Sequence, residues 1–303
     1  MGRTLLILLV GFATSFGLLS TSKNRRYVDS VSRVVNHFSG YSANNASASG
    51  AYMALNRLYQ NINWRTGYSN LVLAGDTLNV TVQDNTSDPS LGPFRLRIRS
   101  TGRNANATDV TQVLIFNRNF DDFAIWAKDS VTNVITKDSL GNVDYTLLVE
   151  NAPFMPEIDY TGLVNRATAQ GHVKTDPTWD APDNYPNGSY YYSGTTPNVT
   201  HVTGNLTVQG GRNVYGIFII EGNAVLDGNA RVEGILYLPN PTSTVIHGGG
   251  DPRESSVTGG ILTWGTVDGT GRHISVKFWP SYMRPFVSGY APDNPPMRVL
   301  SWQ

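Results

Sequence analysis

The chain contains no cysteine. That excludes a disulfide scaffold, a thiol nucleophile, thiolate zinc sites and iron–sulfur clusters. Charge is scarce: Asp, Glu, Lys and Arg make up 15% of the 303 residues, where about 25% is usual. The 23 basic and 23 acidic residues cancel, which argues against a nucleic-acid partner, since such binders carry a basic excess. A neutral, charge-poor surface suits a chain packed against copies of itself better than one alone in water. No proline precedes Pro89. The first 60 residues hold one acid, Asp29, against Arg3, Lys23, Arg25, Arg26, Arg33 and Arg57. His37, His172, His201, His247 and His273 show no metal-helix spacing, and neither a P-loop nor a G-x-S-x-G elbow occurs. The expectation is therefore a non-enzyme with no catalytic residue, cofactor or metal.

What is present is an apolar core content of 40%, enough for one large or two ordinary domains, and a long apolar start. Thr4 to Leu19 reads TLLILLVGFATSFGLL. As a helix it spans about 24 Å, a little short of the roughly 30 Å bilayer core unless Ser20 to Ser22 are added. Its large side chains point in every direction, so it needs an apolar surround on every side. Ten such residues are worth on the order of 15–30 kcal/mol of burial. A secretory signal, a membrane anchor and a helix that assembles with its own copies all fit that run. After it, Val31, Val34, Val35, Phe38, Tyr41, Tyr52, Leu55, Leu58 and Tyr59 follow steps of mostly three and four, the period of an amphipathic helix. A cleaved signal has no reason to lead into such a helix, so the third reading is favoured. One helix is expected to about residue 60; Gly40, Gly50 and the Asn44-Asn45 pair lower helix propensity within it and leave room for a kink or break.

The stretch Asn44-Asn45-Ala46-Ser47-Ala48-Ser49-Gly50-Ala51-Tyr52-Met53-Ala54-Leu55-Asn56-Arg57-Leu58 resembles the small-residue segment, ending S-G-x-x-x-A-L, of PilX-type, type IV pilin-like proteins. The resemblance covers about the first 60 residues and, more loosely, the next 55. It implies a filament subunit without catalytic activity, held in the inner membrane before assembly and extracellular afterwards. Members of that family carry a glutamate near the start of the apolar run; here Leu5 stands in that region and no acid precedes Asp29.

Residues 69–116 read as strands. Asn79 to Gln83 alternates, and Phe94-Arg95-Leu96-Arg97-Ile98-Arg99 puts Phe94, Leu96 and Ile98 on one face and three arginines on the other. Ser100-Thr101-Gly102 is read as the turn. The arginines are either an anion site or, the blander reading, a solvated or subunit-facing strand side. Further on, Gly204–Glu221 laid over Gly222–Pro239 matches at six of 18 positions, Gly204/Gly222, Asn205/Asn223, Gly210/Gly228, Val214/Val232, Gly216/Gly234 and Ile217/Ile235. Val257 to Leu262 echoes the second half, with Ser243–Ser256 as an insertion at a corner. A short fixed period of strand residues between Gly/Asn turns is the mark of stacked β-coils.

The fold expected is α+β: a long N-terminal helix over 1–60, apolar in its first third, a β-sheet subdomain over 61–150, and a β-solenoid-like part over 151–303. Leu5, Leu8, Leu9, Phe12, Phe16 and Leu19 are the candidate polymerisation residues, with identical subunits in a helical filament as partners. Sequons at Asn45, Asn79, Asn85, Asn106, Asn187, Asn198 and Asn205 mark candidate surface glycans. Asp251, Arg253 and Glu254 suggest an alternative, a secreted or anchored β-helix that binds or cleaves polysaccharide. A minor pilin that primes assembly is another. Asp84, Asp88, Asp121 and Asp122 read as turn residues. Tyr190, Tyr191 and Tyr192 read as strand or contact surface. Phe278, Trp279, Tyr282 and Phe286 read as core cover or an intersubunit contact.

Overall fold

The computed structural model describes residues 2–105, 107–180, 185–186, 188–248, 255–271, 273–292 and 295–303. The chain forms two compact units, Met1–Asn117 with Met297–Gln303, and Arg118–Pro296. The division expected at residue 150 thus lies at 117. The strands Ile125–Ala127, Val131–Thr132 and Val134–Lys137 pair with solenoid strands, which carries this stretch into the second unit.

The first unit is one helix, Gly2–Gln60, and a five-stranded antiparallel sheet. The helix runs unbroken through Gly40 and Gly50, so no kink forms there. Its second half explains why. Ala43, Ala46, Ser47, Gly50, Ala51, Ala54 and Leu58 are buried at helical spacing, and tertiary packing overrides the weak local propensity. Every one of these but Leu58 is small, so the helix lies close on the sheet. Leu78, Val80 and Val82 on the strand Asp76–Asp84, Leu96 and Ile98 on Arg95–Asn104, and Val113 and Ile115 on Ala107–Phe116 face it. The expected turn at Ser100–Gly102 is instead strand: Arg95–Asn104 pairs without interruption with Ala107–Phe116. The small residues there admit the helix, not a turn. A Cβ on Gly102 would stand 2.2 Å from the Ala43 carbonyl oxygen and 2.5 Å from the Ser47 nitrogen. Phe94 lies outside the strand, half-buried against Phe116 with ring centroids 6.1 Å apart.

The second unit is a parallel β-solenoid, with a core of Val, Ile, Leu and Phe between two sheets. The 18-residue repeat is its coil. Val214 pairs with Val232, Gly216 with Gly234 and Ile217 with Ile235, while Leu206 pairs with Ala224 on the smaller sheet. The next coil is longer, because Val232 pairs with Val257. The expected insertion begins later than Ser243: Thr244–His247 is itself a strand, paired with Ala224–Leu226. The alternating Val245 and the side chain of His247 are buried, which is strand patterning. Asparagines lock the corner. The Asp176 Oδ1 accepts from the Asn205 N–H at 2.7 Å, Asn205 Oδ1 from the Asn223 N–H at 2.8 Å, and Asn223 Oδ1 from the Thr244 N–H at 2.8 Å.

Midway along the larger sheet Gly216, Gly234 and Gly259 stack at φ +114°, +149° and +139°, a backbone region closed to most L-residues. Beyond this kink the outer face turns apolar, with Ile217, Ile219, Ile235, Tyr237 and Leu262 buried. Two short helices that the sequence reading omitted cover strands of that sheet. Tyr160–Ala169, capped by Asp159, packs on Val199–Val202. Pro280–Tyr290, with proline in its first turn, packs on Arg231–Leu238 and Ser255–Thr263. Phe286 is buried edge-on to Phe120, so core cover is its role.

A Cβ on Gly234 would stand 1.8 Å from the Gly216 oxygen. We predict that Gly234→Ala destabilises the solenoid by about 3 kcal/mol or more, from overpacking plus a forbidden φ. Gly40→Ala meets nothing within 4 Å and gains up to about 1 kcal/mol of helix propensity. Urea unfolding of both variants checks the contrast.

Candidate functional site

The helix leaves the sheet at about residue 42, and a polar clamp marks the exit. Ser42 Oγ donates to Asp76 Oδ2 at 2.6 Å, and Asn104 Nδ2 donates to the other oxygen of the same carboxylate. Asn44 Nδ2 donates to Asp109 Oδ2 at 2.8 Å. Ser47 Oγ lies 3.1 Å from that oxygen and 2.8 Å from Thr111 Oγ1. The Ser42 hydroxyl, then the Asn104 amide, hold the Asp76 carboxyl below its ordinary range. The clamp fixes the azimuth of everything N-terminal to it, because a continuous helix transmits rotation. None of these partners was legible in advance. They pair across 28 to 65 residues of sequence, and no local pattern signals that.

Beyond the clamp the described side chains, Ser39 apart, are exposed. The six candidate residues Leu5, Leu8, Leu9, Phe12, Phe16 and Leu19 are exposed, from 60% at Leu19 to 76% at Phe12. Tyr27, Val28, Val31, Val34, Val35, Phe38 and Tyr41 continue the exposure. Gly11 and Ser15 leave a notch bordered by Leu8, Phe12, Phe16 and Leu19, a shape that receives a side chain from outside. The helix is long and apolar enough to cross a membrane by length and composition. Lone apolar residues on a surface are ordinary, but a contiguous patch of this size marks contact with lipid or protein.

The remaining expected sites fare unequally. Asn198 is fully buried and its Nδ2 donates to the Ser189 oxygen at 2.6 Å, so a glycan cannot attach to it in the folded chain. Asn45, Asn85 and Asn205 are exposed. Asn79 is half-buried, its Oδ1 accepting from the Asn70 N–H at 2.8 Å. Asn106, Asn187, Asp251, Arg253 and Glu254 lie outside the described residues. Among the described residues no cluster of His, Asp and Glu could hold a metal ion. Arg97 pairs with Asp88 at 2.5 Å, while Arg95, Arg97, Gln112 and Gln303 border a cavity of about 260 Å³. Tyr160, Glu221 and His201 are engaged with one another: His201 Nε2 lies 2.8 Å from Glu221 Oε1, and the Tyr160 hydroxyl donates to the same oxygen. Burial, then that carboxylate, pushes the Tyr160 phenol up to about 12.

No family model, curated protein or solved structure matches the chain.

At the far end of the strand that begins with Asp76, Asp84 is held down at about 2, first by the Arg65 guanidinium at 2.9 Å and then by the Ser87 N–H. Both aspartates titrate lower folded than unfolded. The stabilisation from Asp84 is therefore complete above about pH 4 and lost as pH falls toward 2, and that from Asp76 is lost in the same direction. Acid unfolding followed by circular dichroism should show this limb, flattened in Asp84→Asn. Asp76→Ala should cost about 1.5–3 kcal/mol at neutral pH, the worth of a hydrogen bond to a charged group.

Proposed function

We propose that the protein is a structural subunit of an extracellular, type IV pilus-like filament, and not an enzyme. The observation that carries this reading is the bare, unbroken apolar helix rigidly joined to a folded unit. Before assembly the inner membrane supplies the apolar surround. On assembly neighbouring copies of Leu5 to Leu19 replace lipid in a central bundle, and the β-rich parts face outward. Extraction from the bilayer is feasible only because burial among sister helices offsets it, residue for residue. The scarcity of surface charge supports the same reading, since a neutral chain tolerates close self-packing. Exposed Asn85 and Asn205 are the proposed glycan positions in this arrangement.

Two variants test it. Removing residues 2–22 should convert the assembled protein into a soluble monomer by sedimentation. Phe12→Asp should abolish filaments while leaving the β units folded, because an unpaired carboxylate in the bundle costs several kcal/mol. Filaments that persist in either variant would contradict the proposal.

A further inference from the structure

The solenoid carries a groove that self-assembly through the helix does not use. It holds about 610 Å³ and is lined by Lys137, Asn229, Arg231, Val232, Glu233, Ser256, Thr258 and Ser275. It lies on the outer face of the larger sheet, on the amino-terminal side of the glycine kink, where the covering helices give way. Strand register sets its side chains in two straight rows. One runs Asn213, Arg231, Ser256, Ser275; the other runs Tyr215, Glu233, Thr258, Lys277, Lys137. Successive coils are about 4.8 Å apart, so the second row spans roughly 19 Å.

Aromatic rings border the rows. Tyr215 continues the second row past Glu233. Tyr282 stacks on Tyr190 with centroids 3.9 Å apart, and Tyr191 stands edge-on to Tyr190 at 5.0 Å. Burial, then Glu233, Tyr191 and Tyr215, raise the Tyr282 phenol, which puts these groups in one neighbourhood. The Lys277 ammonium lies 5.1 Å from the Trp279 ring centroid.

We propose that this groove binds a linear acidic glycan. Three features select that ligand over a peptide. The strands that carry Arg231, Ser256 and Ser275 are interior to the sheet, and the end strand Val134–Lys137 has its outer edge engaged by its own chain, through the Lys137–Val143 bridge and the Asp144 N–H donating to the Thr136 oxygen at 2.9 Å, so the groove offers no open backbone edge for strand addition. Among the described residues the one apolar lining residue is Val232, itself 1% exposed, so apolar side chains find no pocket there. Hydroxyl, amide and charged groups repeating at a fixed short interval beside aromatic faces match a chain of sugar rings, which presents hydroxyls at its edges and C–H faces to tyrosine. Among the described residues the rows carry Arg231 and Lys277 against one carboxylate, Glu233, which selects a ligand carrying negative charge. Arg231 is exposed and forks toward carboxylate or sulfate geometry.

The test uses the full chain in detergent micelles, titrated calorimetrically with size-defined oligomers of galacturonate, hyaluronan and heparin, and with neutral cellohexaose. At least one acidic oligomer should bind and cellohexaose should not. Arg231→Ala should weaken binding by about tenfold or more, the loss of one charge-assisted pair. Thr258→Glu, which sets a second carboxylate beside Glu233 at an outward strand position, should abolish it with an unchanged circular dichroism spectrum. Failure of all three acidic oligomers, equal binding of cellohexaose, or affinity unaltered in both variants overturns the proposal. So does loss of filaments in Thr258→Glu with glycan binding intact, which would make the groove a contact between copies. Filament assembly by Arg231→Ala separates this proposal from the filament reading.

Discussion

An apolar helix that its own chain leaves uncovered is the constraint on which everything else turns. At about 1.5–3 kcal/mol per large side chain, its opening half carries a burial free energy larger than the net stability of an ordinary domain, about 5–15 kcal/mol. No fold can leave that unsatisfied in water. The chain places the deficit in one element and keeps its two β units self-sufficient. Their cores, around Leu58 and Ile98 in one and Phe218 and Leu236 in the other, are fully buried without outside help.

Close approach is the common device in both units. Where the helix meets its sheet, alanine, serine and glycine remove the side-chain spacers, and Gly102 lets the strand touch the helix backbone. Where coils stack, Gly216, Gly234 and Gly259 bring backbone onto backbone. The polar clamp of Ser42, Asn44 and Ser47 on Asp76 and Asp109 takes over where small-residue packing ends. A helix held that firmly presents its free half in one orientation. A filament reading needs that property, because repeated contacts require identical subunits.

Much of this was legible in the residues. The helix to Gln60, the alternation of Leu96 and Ile98, and the 18-residue coil all rest on periodicity, which is local. Two misreadings share a cause. Ser100–Gly102 as a turn and Ser243 as the start of an insertion each took small or turn-forming residues at their local preference. Packing against a distant element decided otherwise. The helix Pro280–Tyr290 did have a signal: proline at its first position, then Met283, Phe286, Val287 and Tyr290 at steps of three, one and three. The aromatic run ahead of it drew attention instead. The groove rows were also within reach, since extending the repeat alignment places Tyr215 over Glu233 and Thr258.

A retained apolar helix covered by its sisters is the central claim, and electron cryomicroscopy of the intact protein recovered from the cell surface measures it directly. The account predicts helical filaments with Leu5, Leu8, Leu9, Phe12, Phe16 and Leu19 packed together at the axis. Dispersed single particles, or ordered filaments in which those residues face solvent, would contradict it.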